Sequence, residues 1–361
     1  MSKARPKEPQ TMRSSRASLS SILQPVFSLR PKSFCSAAPP KHKHKPQTPL
    51  HLRPPAFRVT LSDLKQWHAW AKTQASSVGS TFSALDGGPD SDLLLRELKW
   101  LVEDAVEHPA LLDGGGAAQV AIRARLEELY ELWRQRIQER RPFQYVVGCE
   151  HWRDLILSVE EGVLIPRPET ETIVDLVGDA VKADGELREG LWADLGTGSG
   201  ALAIAVARVL GGGGRVVAVD LSSIAAAVAG YNVERYCLQG KVSVRVGSWF
   251  EGVEGELRGL VSNPPYIPSQ HIHALQAEVS RHEPVLALDG GLDGMDHLIH
   301  LSNGAASMLK PRGFFAFETN GETQSKFLVD YMTNQMKGRF CRLKIASDFA
   351  GIQRFVTGYK A

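Results

Sequence analysis

Apolar residues recur along this chain with two different periods. Leu94, Leu98, Leu101 and Ala105 stand at i, i+4, i+7 and i+11, and Ile122, Leu126, Leu129, Trp133 and Ile137 keep a similar spacing, so each stretch predicts a helix with one apolar stripe. The Gly- and Asp-bearing runs "LDGGPDSD" and "LLDGGGAAQ" end helices and make loops. Together these patterns predict a small helical bundle over 58–141, with Trp67, Trp70 and Trp133 in its core, because aromatics on such stripes pack inward. From about residue 142 the period shortens. "FQYVVGCEHWRDLILSVEEGVLIPRPETE" alternates as strands do and predicts a hairpin turning at Arg153 and Asp154, a linker over 142–166. Beyond it, short apolar runs such as "LWADLG", "RVVAVD", "LVSNPPY" and "GFFAFET" alternate with helical ones such as "ALAIAVARVL" and "FLVDYMTNQM". That alternation predicts crossover units over 167–361: a largely parallel sheet with helices on both faces, edged by the antiparallel pair "RLKIAS" and "IQRFVTGY".

Composition changes this picture little. The 361 residues are 43% hydrophobic and 23% charged, with a formal charge of +2, so nothing global announces nucleic acid or a membrane. The apolar stretch at 201–210 is interrupted by Arg208 and is shorter than the roughly 20 residues of a bilayer helix, so no membrane span is expected. Cys35, Cys149, Cys237 and Cys341 form no C-x-x-C pair, which points to free thiols and no structural zinc. The distribution of charge is more informative than its sum. From Met1 to Thr60 the only acid is Glu8, while Arg, Lys, Ser and Pro recur. This is the composition of an organellar transit segment, assigned to 1–55. The weight of Ser, Ala and Pro favours the chloroplast over the mitochondrion. A basic arm that binds RNA is the alternative.

The chemistry concentrates at strand ends. In "DLGTGSGALAIAVA", Gly196, Thr197, Gly198, Ser199 and Gly200 lie between a strand and a helix, where glycines let the backbone turn sharply and approach a ligand. The spacing G-x-G-x-G differs from the G-x-G-x-x-G of dinucleotide folds. Asp220 ends the next strand, where an acid can accept hydrogen bonds from both hydroxyls of a ribose. Trp249, one strand further, stands where a ring could lie against adenine or pack in the core. Then comes "VSNPPY". The side-chain oxygen of Asn263 and the carbonyl of Pro264 can each accept an N–H from one planar NH2 group. Pro264 and Pro265 fix the backbone, and the ring of Tyr266 can cover the flat group. His271, His273 and His282 lack a carboxylate at ligand spacing, so no metal is expected.

Glycine loop, acid and alternating strands resemble the Rossmann-like methyltransferases that bind S-adenosyl-L-methionine. Within them "RPFQYVVG", "VLIPRPETE", "DLGTGSGALAIA", "SNPPYIP" and "DFAGIQRFV", in that order, resemble the HemK-like family of peptide-chain release factor glutamine methyltransferases, from about residue 90 to the end. The resemblance implies an α/β catalytic domain preceded by a helical domain and a hairpin linker. It implies methyl transfer to the glutamine of the Gly-Gly-Gln motif of class-1 release factors, here organellar ones. Carried over by position, Gly196 to Gly200, Asp220, Trp249 and Asn263 would hold the cofactor, and Asn263 to Tyr266 the glutamine. Arg167 and Glu169 would shape the pocket wall or form structural salt bridges. Ser248 stands where many methyltransferases have an acid for the adenine amine. The helical domain would dock the release factor, and the basic run "WRQRIQERR" reads as a solvated helix face. A monomer is expected, with no direct nucleic-acid contact. The competing functions are a DNA or RNA amino-methyltransferase, which should carry a basic groove, and a non-catalytic scaffold, which would need neither Asp220 nor Asn263.

Overall fold

The computed structural model describes residues 44–113 and 119–361. Most of the basic N-terminal segment, Cys35 and the glycine run at 114–118 lie outside them, so the transit segment is not addressed by the fold. The first part is helical. After a short strand β1 (Phe57–Thr60) come α1 (Leu61–Val78), α2 (Thr81–Asp86) and α3 (Ser91–Ala105), then β2 (Gln119–Ile122), α4 (Leu126–Arg134) and α5 (Phe143–Val147). Thr60 and Asp90 cap α1 and α3, each side chain accepting a hydrogen bond from a backbone N–H three residues on. The stripe Leu94, Leu98, Leu101 and Ala105 is buried together with Trp67 and Trp133, and Trp70 packs on Tyr130 with ring centroids 4.7 Å apart.

Two elements differ from the periodicity. Ile122 belongs to no helix: it pairs with Phe57 across the antiparallel β1–β2 ladder, and α4 begins only at Leu126. The β-branched Val120 and Ile122 pack on the bundle from a strand, and their helical spacing to Leu126 is incidental. "FQYVV" is a helix, not a strand. Pro142 precedes its first turn and Gly148, at φ 77°, stops it, so the rigid entry and left-handed exit override the β-rich composition between them.

The hairpin follows as β3 (Cys149–Trp152) and β4 (Leu155–Ser158), turning at Arg153 and Asp154. Several side chains fasten it to the remainder, among them the fully buried Asn232. Asn232 Oδ1 accepts the Ser158 N–H at 2.8 Å, and its Nδ2 donates to the carbonyls of Ser158 (3.0 Å) and Ser199 (2.9 Å).

The second part then runs α6 (Glu171–Ala183), β5 (Gly190–Leu195), α7 (Ala201–Leu210), β6 (Gly214–Asp220), α8 (Ser223–Arg235), β7 (Val242–Val246), β8 (Leu257–Ser262), α9 (Ala277–His282), α10 (Asp296–Met308), β9 (Leu309–Glu318), α11 (Glu322–Asn334), β10 (Phe340–Ser347) and β11 (Gln353–Lys360). Its seven strands lie in the order β10-β11-β9-β8-β5-β6-β7. The five from β9 to β7 are parallel, and β11 runs antiparallel to both β9 and β10, so the last two strands form the expected edge. Alternation along β9 sends Phe314 and Ala316 to one apolar face, with Ile204 and Phe355, and Phe315 and Phe317 to the other, with Leu298 and Leu328. From β5 the chain winds outward through β6 and β7 and then crosses back to β8. The crevice at the carboxyl ends of β5, β6 and β8 is therefore the topological place for a ligand.

Bundle and sheet are joined by buried charges. Glu278 on α9 accepts hydrogen bonds from Arg136 Nη1 (3.0 Å) and Arg140 Nε (2.6 Å). Arg136 also forks onto Glu97 (2.7 and 3.1 Å), and Arg140 reaches Asp86 (2.9 Å), whose other oxygen accepts the Ala277 N–H. Two arginines of "WRQRIQERR" are thus 2% and 4% exposed, not solvated, because a partner 138–142 residues away supplies the countercharge. Replacing Glu278 by alanine leaves both guanidinium groups short of a buried partner, and the expected loss is about 3 kcal/mol of stability. A denaturant titration with an unchanged midpoint would contradict it.

Candidate active site

The glycine loop leaves β5 with Gly196 at φ 75° and Gly198 at φ 55°, a left-handed region that side chains disfavour. The N–H groups of Gly196 and Thr197 both reach the carbonyl of Val219, which stitches the loop to β6. Asp194, fully buried beneath it, accepts the Thr197 hydroxyl (2.6 Å) and the Ala203 N–H (3.0 Å). Burial pushes its carboxyl up to about 7. Above the loop, Asp220 accepts the Gly198 N–H at 2.8 Å through Oδ2 and the Ser222 N–H at 2.9 Å through Oδ1, and burial raises its pKa. Each of these oxygens keeps a further lone pair for a ligand.

Gly196, Gly198, Asp220, Trp249 and Asn263 line one cavity, with about 820 Å³ of empty space that is partly open to solvent. Trp249 adopts φ 49°, and its ring lies 5.1 Å from that of His297 and close over Gly196. Ser248 lines the same wall. Thr197, Ser199 and Gly200 do not. Thr197 is spent on Asp194, the Ser199 carbonyl on Asn232, and a Cβ on Gly200 would stand 3.2 Å from that of Ala229, so these three build the loop without lining the cavity.

Asn263 and Pro264 follow directly on β8, which Ser262 ties to β5 by donating its hydroxyl to the Leu195 carbonyl (2.5 Å). Pro264 is buried, and Pro265 joins Asn263 on the cavity wall. Asn263 Nδ2 donates to Thr170 Oγ1 at 3.0 Å, and the Tyr266 hydroxyl donates to Glu318 Oε1 at 3.0 Å. Thr170 and Glu318 are site residues that motif reading missed. Their signals were a threonine inside "PETE" and a lone acid closing the apolar run "GFFAFE".

Arg167 and Glu169 stand elsewhere. Arg167 pairs with the buried Glu283, which also accepts the Ile165 N–H at 3.0 Å. It lines a separate polar cavity between bundle and sheet, with Arg136 and Glu278, so of the two roles considered for it the salt bridge is present. Glu169 is half-buried and lies outside both cavity linings. His271 and His273 are exposed, and His282 meets the Glu139 carbonyl. Among the described residues one group of metal-ligand type does come together, none of it lining the cavity. His51, Asp104 and Cys149 bring their ligand atoms within 4.8 Å of one another, through residues too scattered in sequence for spacing to reveal.

The cavity suits a nucleoside that carries no phosphate. A side chain on Gly198 would project into open space, Asp220 offers a carboxylate, and among the described residues no lysine or arginine lines the walls. Sheet order, glycine loop and acid together define an α/β, Rossmann-like methyltransferase that uses S-adenosyl-L-methionine. Residues 179–292 match the methyltransferase small domain family. The chain is 42% identical over 269 residues to the release factor glutamine methyltransferase of Gloeobacter violaceus, covering 74% of this chain and 91% of that protein. It is 34% identical over 306 residues to the protein of the same name from Synechocystis, covering 83% and 97%. The chain belongs to the release factor glutamine methyltransferase family.

Proposed function

We propose that this enzyme N-methylates the glutamine of the Gly-Gly-Gln motif in a class-1 release factor of an organelle, with the chloroplast favoured. The observation that carries the reaction is the position of Asn263. It stands on the wall of the cofactor cavity at the carboxyl end of β8, with its amide already bonded on one side to Thr170. When bound, S-adenosyl-L-methionine supplies an electrophilic methyl group. A glutamine side-chain nitrogen is a weak nucleophile, because its lone pair is delocalised into the carbonyl. Asn263 Oδ1 and the Pro264 carbonyl accept its two N–H groups, holding the nitrogen in line and stabilising the positive charge that grows on it. Tyr266 covers the amide plane. The proton leaves to solvent after transfer.

The organellar part rests on the acid-poor stretch from Met1 to Thr60, whose composition is that of a transit segment. A fluorescent fusion of those residues is expected in plastids, and diffuse cytosolic signal would remove that part alone. For the reaction, a plastid release factor would be incubated with the enzyme and S-adenosyl-L-methionine and read by mass spectrometry. A single methyl on the Gly-Gly-Gln glutamine is expected. An unmodified factor, with methyl appearing instead in added RNA or DNA, would replace this reading by amino-methylation of bases.

A further inference from the structure

Asn263 is useful to an NH2 group in only one of its two flips. With Oδ1 toward the substrate it accepts an N–H. Rotated by 180° it would present its own NH2 to another NH2, two donors facing each other. Something must therefore decide the flip, and a chain of hydrogen bonds behind the cavity does so. Glu318, buried at the carboxyl end of β9, accepts the Thr170 hydroxyl at 2.6 Å through Oε2. A hydroxyl has a single proton. Having given it to an ionised carboxylate, which can only accept, Thr170 turns lone pairs toward Asn263. The amide can meet those lone pairs only with Nδ2, at the observed 3.0 Å. Oδ1 is left as the polar atom directed away from Thr170. The same carboxylate accepts the Tyr266 hydroxyl through Oε1 at 3.0 Å.

We propose that Glu318 is a positioning residue for methyl transfer: through Thr170 it sets the flip of Asn263, and directly it anchors Tyr266, so both polar ends of Asn-Pro-Pro-Tyr depend on one carboxylate. This rests on the reading that Asn263 accepts an N–H of the substrate. Direction along the chain runs from Asn263 to Thr170 to Glu318, and it holds only while Glu318 is ionised. A protonated Glu318 becomes a donor at one oxygen. It can then give its proton to Thr170, free the hydroxyl proton for Asn263 Oδ1, and reverse the flip.

The surroundings bring that event close to neutral pH. Burial, with the nearby charge of Glu169, raises the Glu318 carboxyl to about 7, against the lowering by Thr170, Tyr266 and Arg354 on β11. The sign is definite. The ionised form is the competent one, so turnover falls as pH drops through about 7 and reaches its plateau only a unit or more above it.

The test combines three variants of the full chain with release-factor methylation as readout. Thr170→Val keeps the shape and removes the hydroxyl, so kcat is expected to fall about tenfold or more, the equivalent of one directed hydrogen bond. S-adenosyl-L-methionine affinity should stay within about twofold, because Thr170 lies behind Asn263 and outside the cavity lining. Thr170→Ser restores the hydroxyl and should restore kcat. Glu318→Gln can act as acceptor toward only one of its two partners, so it should lower kcat and abolish the acid limb of the pH profile. If it fails to fold, the Thr170 pair still decides. Wild-type turnover in Thr170→Val, or a Thr170→Ser as slow as Thr170→Val, would overturn the proposal. A wild-type enzyme that leaves the release-factor glutamine unmodified would instead overturn the functional reading beneath it.

Discussion

Asn263→Ala lowers kcat by about two to three orders of magnitude while the affinity for S-adenosyl-L-methionine changes by less than about twofold. The two effects separate because the side chain has two neighbours of different kind. Its amide meets Thr170 behind and the cavity in front, while the groups suited to the ribose and the base are Asp220 at the end of β6 and Trp249 beyond β7, two and three strands away. Truncation therefore removes an acceptor needed when charge develops on the substrate nitrogen and leaves the nucleoside pocket standing. Single-turnover rates at saturating cofactor, set beside calorimetric titration of the cofactor, measure both quantities on one preparation. A parallel fall in cofactor affinity would mean that Asn263 holds the nucleoside and not the reacting nitrogen.

Asp220→Ala is expected to do the reverse. A carboxylate that accepts two ribose hydroxyls makes charge-assisted bonds, each worth about 1.5–3 kcal/mol, so cofactor affinity should fall about a hundredfold or more. The loss has a second source. Gly198 and Ser222 currently donate to this carboxylate, and without it two backbone N–H groups at the cavity edge lose their acceptor and the glycine loop loses a tether. Turnover at saturating cofactor should stay near the wild-type value, since Asp220 ends β6, two strands from the β8 that Asn263 follows. Titration with unchanged affinity would mean that the carboxylate serves only to hold the loop. Asp220→Asn, which keeps an acceptor but also presents an NH2, should fall between the two.

Much of this site can be read from local sequence, because its parts are set by backbone geometry. Gly196 and Gly198 need positive φ, Asp220 needs only to end a strand, and Asn-Pro-Pro-Tyr carries its own rigidity. The supporting layer cannot be read that way. Thr170 meets Asn263 across 93 residues and Glu318 across 148, and no spacing rule connects a helix start, a strand end and a loop that only the sheet order brings together. Arg136 and Arg140 fail for the same reason: in sequence they look like a charged helix face, and the acid that buries them lies on α9. Ile122 shows the opposite error. Its spacing was local and helical, and the pairing with Phe57 that made it a strand was not local at all.

Asn232 gives the hairpin a meaning that the word linker hides. One buried amide grips Ser158 by both its N–H and its carbonyl and, with the same nitrogen, holds the carbonyl of Ser199 in the glycine loop. With Glu278 clamping Arg136 and Arg140 just before it, the segment between bundle and sheet is held at both ends and behaves as a strut. The distance from the bundle to the glycine loop is then set by packing. Were a partner to seat on the helical bundle, that distance would decide how far its glutamine has to reach.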